Sequence, residues 1–341
     1  MSRNEAHATV RASGPRHFCT YFDHNYIPRA LVTLESLHRY APDALVHALC
    51  LTKDCRMGME HLALPFVRLY DLVDLETADP ELAAVKNTRS AVEYYFTLSP
   101  CLPRFLLTRE GLDEVTYLDA DMMFFSSPEP LFEEAAKASV IITPHRFSES
   151  LGPLRKKLEV YGLYNVSWLT FRNTGSGSAC LEWYRAACLD WCFDRVEGDR
   201  FADQKYLDSF PRLFDGVHVM RHKGGGVAPW NLHDAQFEKR DGITLVDGEP
   251  LIFYHAQAFQ PILGPFYASG GYAYALRPGR DQKECIFRPY IQAFDAASAK
   301  AARVGIVSQR AGARQLEKSG FRRQLRRVYK EFKHGSLVTR F

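Results

Sequence analysis

The run Tyr117–Phe125, YLDADMMFF, constrains this chain more than any other stretch. Its first half continues an apolar, β-branched and aromatic segment from Val115 to Leu118, the pattern of a buried strand. Asp119 and Asp121 then interrupt it. Residues i and i+2 of an extended chain point to one side, so both carboxylates can face one point at the strand's end. Two close, unpaired carboxylates in an apolar setting repel each other and are costly to bury. A divalent cation with a preference for hard oxygen ligands, Mg²⁺ or Mn²⁺, removes both penalties. The alternative is a pair of aspartates capping a turn before Ser126-Ser127-Pro128. The rest of the chain has to separate the two.

Around that strand the sequence alternates strand and helix. His17–Phe22 reads as a first strand ending at Asp23-His24-Asn25-Tyr26. A helix with Ala30, Leu31, Leu34 and Leu37 on one face follows and stops before Pro42. Strands are expected at 46–51, 66–70, 139–143, 164–171 and 217–220. The segment 91–107 should be mostly helical but broken by Pro100 and Pro103, and 179–193 a further helix. Ile243–Val246 and Leu251–Tyr254 flank Asp247-Gly248 and read as a hairpin delivering His255 at its end. This alternation predicts an α/β fold with a mainly parallel central sheet. In such sheets ligands sit beyond the carboxyl ends of the strands. Asp23 and Asn25, Asp119 and Asp121, Asn165, Asp203 and Gln204, and His255 all follow apolar strands or open short helices, which points to one shared cleft.

Composition narrows the class. An apolar fraction of 46% supports a large core, and no apolar run is long enough to span a membrane. The first residues lack an apolar export segment, so a cytoplasmic protein is expected. Eight cysteines at scattered spacings read as reduced, buried thiols rather than a zinc or disulfide framework. From Arg303 to the end, eight arginines and three lysines face two glutamates, a net charge of +9. That leaves −6 for the rest of a chain whose total is +3. A mildly acidic body with a basic tail argues against a nucleic-acid-binding domain.

Taken in order, DHNY after the first strand, YLDADMMFF, NVSW, ADQ and FYH resemble a GT-A glycosyltransferase over roughly residues 17–265. The nearest likeness is to the retaining family that includes glycogenin and bacterial lipopolysaccharide glucosyl- and galactosyltransferases. The resemblance implies a Rossmann-like GT-A domain over 16–295, after a disordered start (1–15) and before a basic helical extension (296–341). It implies a nucleotide-sugar donor, usually UDP-linked, and Mn²⁺ or Mg²⁺ held by Asp119, Asp121 and His255. Thr20, Asp23, Asn25 and Tyr26 would bind the nucleotide. Asn165, Asp203 and Gln204 would line the donor sugar, with Asp203 and Gln204 at the reacting centre. The relatives' helix arginine, in a Y-x-R-L context, is absent from YYFTL at 94–98, so Arg89 or Arg104 would have to replace it. Their lysine after the histidine is absent from AQAFQPI, which leaves Lys223, beside Gly224-Gly225-Gly226, as its replacement on the diphosphate.

In the tail, Phe321, Leu325, Val328 and Phe332 form one helical stripe opposite Arg322, Arg323, Arg326, Arg327, Lys330 and Lys333. Such a helix either docks its stripe on the parent domain or lies on an anionic membrane and brings the enzyme to a lipid-linked acceptor. A glycan acceptor fits equally. Two other classes share parts of the pattern. One is a non-catalytic nucleotide-sugar-binding relative. The other is a haloacid-dehalogenase-type phosphatase, against which Met122-Met123 and the late position of the motif argue.

Overall fold

The computed structural model describes residues 14–306 and 318–341. Eight strands come first: β1 (His17–Phe22), β2 (Leu45–Cys50), β3 (Val67–Asp71), β4 (Glu114–Leu118), β5 (Met122–Phe124), β6 (Val140–Pro144), β7 (Tyr164–Arg172) and β8 (Val217–Val219). All but β5 form a seven-stranded sheet in the order β3-β2-β1-β4-β7-β6-β8. Four of its six neighbouring pairs are parallel, and β7 runs antiparallel to both β4 and β6. The strands alternate their burial between two faces. Phe18, Val46 and Trp168 join one core, with the helices Ile27–Tyr40 and Arg288–Arg303. Cys19, Leu49, Val115 and Leu169 join the other, under the helices Ala91–Arg109 and Gly175–Asp190. All eight cysteines are buried free thiols.

Ala91–Arg109 is one continuous helix through Pro100 and Pro103, not the broken one expected. Each proline removes one backbone donor, but eleven of the helix's residues are buried, and that tertiary packing outweighs local propensity. Ser90 and Glu93 close its start in a reciprocal capping box. On the same face Arg185 grips Asp79 with two hydrogen bonds of 2.6 and 2.5 Å, and Asp79 is only 4% exposed. Removing the guanidinium strands that carboxylate in the core. Arg185→Ala is therefore expected to cost ~3–5 kcal/mol in urea unfolding.

The remaining strands are β9 (Phe237–Arg240), β10 (Ile243–Val246), β11 (Glu249–Pro250), β12 (Phe253–His255), β13 (Gln260–Leu263), β14 (Phe266–Ala268) and β15 (Leu337–Thr339). The hairpin around Asp247-Gly248 exists, but its second arm is only β11. The chain then leaves it, and β12 pairs antiparallel with β5. The run Leu251–Tyr254 is fully buried on every side chain, which suits an inner strand and not an exposed hairpin arm. The other edge of β5 is satisfied by the helix Ile27–Tyr40. Thr33 Oγ1 donates to Met122 O and accepts from Met122 N, both at 2.9 Å, and Ser36 Oγ accepts from Phe124 N at 3.0 Å.

The helix Arg288–Arg303 runs unbroken across residue 296, the expected start of the extension. The later helix, Lys318–His334, returns the chain to the body as β15, paired with β14. Two members of its apolar stripe do not dock there, Leu325 at 45% and Phe332 at 70% exposed, while Val328 is half-buried. Glu331 is buried against the body, its Oε2 accepting from Ser336 Oγ at 2.5 Å. The side chains of Phe321 and Arg322 lie outside the described residues. Among the described residues no helix is long and apolar enough to cross a membrane.

Candidate active site

Parallel pairing of β1 and β4 puts their carboxyl ends on one edge of the sheet. Asp119-Ala120-Asp121 forms the turn that joins β4 to β5, where the backbone bends rather than staying extended. The β5–β12 register then sets His255 opposite Met122, next to that turn. His255 N donates to Val227 O, and Ala256 N donates to Asp121 O, both at 2.8 Å. Two strands that the sequence separates by more than a hundred residues therefore assemble one cluster. His255 Nε2 lies 3.0 Å from Asp121 Oδ1 and 3.6 Å from Asp119 Oδ2. One ligand atom from each of the three residues falls within 4.8 Å of the others.

Burial and proximity shift the protonation of all three groups. Burial raises the Asp119 carboxyl above its usual range, and the like charge of Asp121 adds to this, against the pull of His255. Burial also works against Asp121, but His255, Arg29 and the Tyr26 hydroxyl outweigh it and hold it below the usual range. His255 is pushed down by burial, yet the two aspartates leave it above an ordinary imidazole. A bound cation would replace the proton that this arrangement draws to His255. Two carboxylates and one imidazole suit Mn²⁺ and Mg²⁺. Because binding needs His255 neutral, Mn²⁺ affinity should fall about tenfold per pH unit below the raised His255 pKa and level off above it. Calorimetric titration between pH 5.5 and 8.5 measures this.

The other expected site residues divide into two groups. Tyr26 reaches the cluster: its hydroxyl donates to Asp121 Oδ2 at 3.0 Å. Asp23 shapes that approach by accepting from Asn25 N and Tyr26 N at 2.9 and 3.2 Å. Thr20 is buried in β1 with its hydroxyl unpartnered among the described residues. Asp203 is buried near Asp119. Burial lifts its carboxyl to about 7, with the Ser99 hydroxyl opposing and the charge of Asp119 adding to the rise. Gln204 opens a 3₁₀ turn and donates from Nε2 to Tyr161 O at 3.0 Å.

Asn165 serves the sheet. Its Oδ1 accepts from Ser167 N and Oγ at 3.1 and 2.5 Å, where the β6–β7 register shifts. Lys223 is exposed, and its turn packs at the opposite end of β12 from His255: Lys223 N donates to Glu249 Oε2 at 2.9 Å, and Ile252 N and Phe253 N donate to Gly224 O. The structure does not bring Lys223 to the cluster. Arg89 donates to Leu189 O and Arg104 pairs with Glu182, so both are spent elsewhere. The cation beside the cluster is Arg29, which sequence reasoning missed. It stands 4.9 Å from the Tyr26 ring and donates to Phe259 O at 2.9 Å. Only its place three residues after Tyr26, in DHNYIPRA, could have signalled it.

Against known proteins, no family model matches the chain. It is 31% identical over 251 residues to the uncharacterized protein YfnF of Bacillus subtilis (strain 168), covering 71% of this chain and 81% of that one. To YfnD of the same organism it is 28% identical over 246 residues, covering 71% and 78%. Among solved structures, the galactosyltransferase LgtC, in complex with donor and acceptor sugar analogs, superposes with a TM-score of 0.51 at 14% identity. That match covers 82% of this chain and 95% of LgtC. The likeness establishes a shared fold, the GT-A fold of glycosyltransferases.

Proposed function

Since the chain belongs to the same family as YfnF and folds as a GT-A glycosyltransferase, we propose that it transfers a sugar from a nucleotide-diphosphate donor to a glycan or lipid-linked acceptor. The observation that carries this reading is the convergence of Asp119, Asp121 and His255 at the carboxyl edge of the parallel strands. The donor is a UDP-sugar and the ion Mn²⁺ or Mg²⁺. When bound, that ion acts as a Lewis acid on the departing diphosphate. The protein's own residues do the rest. Tyr26 orients Asp121 and Arg29 adds positive charge beside it. Asp203 and Gln204 lie toward the donor sugar, where polar groups stabilise positive character at the anomeric carbon.

Transfer proceeds with retention of the anomeric configuration. Incubation with a panel of UDP-hexoses and Mn²⁺, followed by anomer-resolved NMR of the released or transferred sugar, tests both statements. Metal-dependent cleavage with a retained anomer is expected. An inverted product overturns retention, and no cleavage of any UDP-sugar favours a non-catalytic binder.

The tail supports a membrane-borne acceptor. Leu325 and Phe332 face solvent on the same helix as the exposed Arg323, Arg326, Arg327 and Lys330. Flotation of the full chain with phosphatidylglycerol vesicles, against the Leu325→Asp/Phe332→Asp variant, measures it. Equal recovery of the two proteins removes the membrane from the reading.

A further inference from the structure

A cavity of about 520 Å³ lies between the helix Lys318–His334 and the β13–β14 pair. Small-molecule sites span roughly 300–1,000 Å³, so the volume suits one. On the helix side its wall carries three cations, Arg326, Arg327 and Lys330, and one carboxylate, Glu331. Its floor is small and apolar, with Ala268 and Gly270 buried. None of the three cations forms an ion pair among the described residues. Lys330 instead stands over Tyr272, its Nζ 4.1 Å from the ring centre, and His334 packs edge-on against the same ring at 4.8 Å. The one carboxylate is already engaged, because Glu331 Oε2 accepts from Ser336 Oγ. Three cations against one carboxylate leave two positive charges in excess. That surplus complements the double negative charge of a phosphate monoester better than a single carboxylate. Arginine forks also match phosphate oxygens in pairs, and lysine adds a point charge.

One loop joins this cavity to the metal cluster. Ala258, at the cavity's edge, is three residues beyond His255, so at most about 10 Å of chain separates the two. Gly270, on the floor, closes on that loop. It has φ +83°, and a Cβ there would lie 2.0 Å from Gln257 O, so only glycine fits. Gln257 Oε1 accepts from Tyr274 Oη at 2.8 Å, and the rings of Tyr274 and His255 flank Trp230 at 5.7 and 5.5 Å. The cavity also faces away from the helix's exposed apolar residues. A helix turns about 100° per residue, which sets Arg327 and Lys330 on the far side from Leu325 and Phe332. A bilayer that took up those two apolar side chains would not fill the cavity with its headgroups.

We propose that this cavity is an acceptor subsite, in which Arg326, Arg327 and Lys330 bind a phosphate group of the sugar acceptor while a hydroxyl of the same acceptor reaches the metal-binding turn. The proposal deepens the transfer reading above and rests on it. It narrows the acceptor to a phosphorylated sugar or glycan. It also gives the tail helix a task on the substrate itself, separate from any membrane.

The test uses the full chain in EDTA, where no divalent cation is held. Saturation-transfer NMR titrations compare α-glucose 1-phosphate, glucuronic acid and glucose as probes. Glucose 1-phosphate should bind, glucuronic acid about tenfold more weakly or worse, and glucose not measurably. Arg326→Gln/Lys330→Gln should weaken glucose 1-phosphate by about tenfold or more. Arg327→Gln alone leaves the Lys330–Tyr272 contact in place and should weaken it by about threefold or more, which covers a double variant that fails to fold. Arg323→Gln, exposed on the same helix but outside the cavity, should change it by less than about twofold. Unchanged affinity in the cavity variants overturns the proposal, and so does glucuronic acid binding as tightly as glucose 1-phosphate. If the cations serve lipid headgroups instead, the double variant loses flotation with phosphatidylglycerol vesicles and the parent binds no glucose 1-phosphate, which overturns it too. Mn²⁺-dependent UDP-sugar cleavage without probe binding overturns the subsite alone. Probe binding without cleavage of any UDP-sugar overturns the transfer reading and the acceptor assignment with it.

Discussion

Asp119→Asn is expected to reduce metal-dependent sugar transfer by about 10³-fold or more, ~4 kcal/mol of transition-state stabilisation at 1.36 kcal/mol per decade. The substitution keeps the side chain's shape and removes a ligand charge from a cluster whose atoms lie within 4.8 Å. The loss should not come from unfolding. Burial and Asp121 hold the Asp119 carboxyl above its usual pKa, so its folded form binds more protons than the unfolded chain. Its contribution to stability therefore falls as pH rises from the usual carboxylate range through that raised value, and a neutral amide escapes the penalty. A melting temperature at pH 8 equal to or above the parent's, combined with lost turnover, is the signature of a ligand. A lowered melting temperature would mark a structural residue. Steady-state assays with saturating Mn²⁺ and parallel thermal melts separate the two.

Trp168→Ala should be the most damaging apolar substitution near the site, costing ~3–5 kcal/mol in urea unfolding. Trp168 is fully buried in β7. Its ring stacks on Phe253 at 5.5 Å with an interplanar angle of 4°, and it meets Phe18 and Phe132 at 5.7 and 5.4 Å. Phe253 opens the three-residue strand that ends at His255, and Phe124 of the paired strand also touches Trp168. The cavity therefore opens beneath the β5–β12 pair that aims the imidazole, and Mn²⁺ affinity should fall about tenfold even in the folded fraction. Trp168→Phe keeps the stack and gives up the hydrogen bond from Nε1 to Thr170 Oγ1. It should cost about 1–2 kcal/mol and leave the metal affinity near the parent's.

The features that proved legible in the sequence share one physical basis, a buried strand ending in polar residues. His17–Phe22, Asp119, Asp121 and His255 were readable because apolar runs stopping at carboxylates and imidazoles are costly without a purpose. Elements decided by tertiary contacts were not readable. Pro100 and Pro103 signal a break, and only the sheet and the neighbouring helix keep Ala91–Arg109 continuous. Leu251–Tyr254 looks like a hairpin arm until β5, far away in sequence, provides a better partner. Asn165 follows an apolar pattern as a ligand would, yet the irregular β6–β7 register uses all its polar atoms. Lys223 adjoins a glycine turn of the kind that cradles phosphate, but the turn faces Glu249 and not the cluster. In the tail, the periodicity shows an apolar stripe, but not that Leu325 and Phe332 stay exposed while Glu331 is buried.

The most direct test of the central claim is a thermal-shift series of the full chain with UDP-glucose, UDP-galactose and UDP-N-acetylglucosamine, each with Mn²⁺ and with EDTA. A ligand that binds the folded state alone raises stability by RT ln(1 + [L]/Kd), about 2.7 kcal/mol at a hundredfold excess over Kd. At least one UDP-sugar should stabilise the chain by several degrees with Mn²⁺ and by nothing measurable with EDTA, and Asp119→Asn should abolish the shift. A UDP-sugar shift of the same size in EDTA, or in Asp119→Asn, would contradict a metal–diphosphate site built from Asp119, Asp121 and His255.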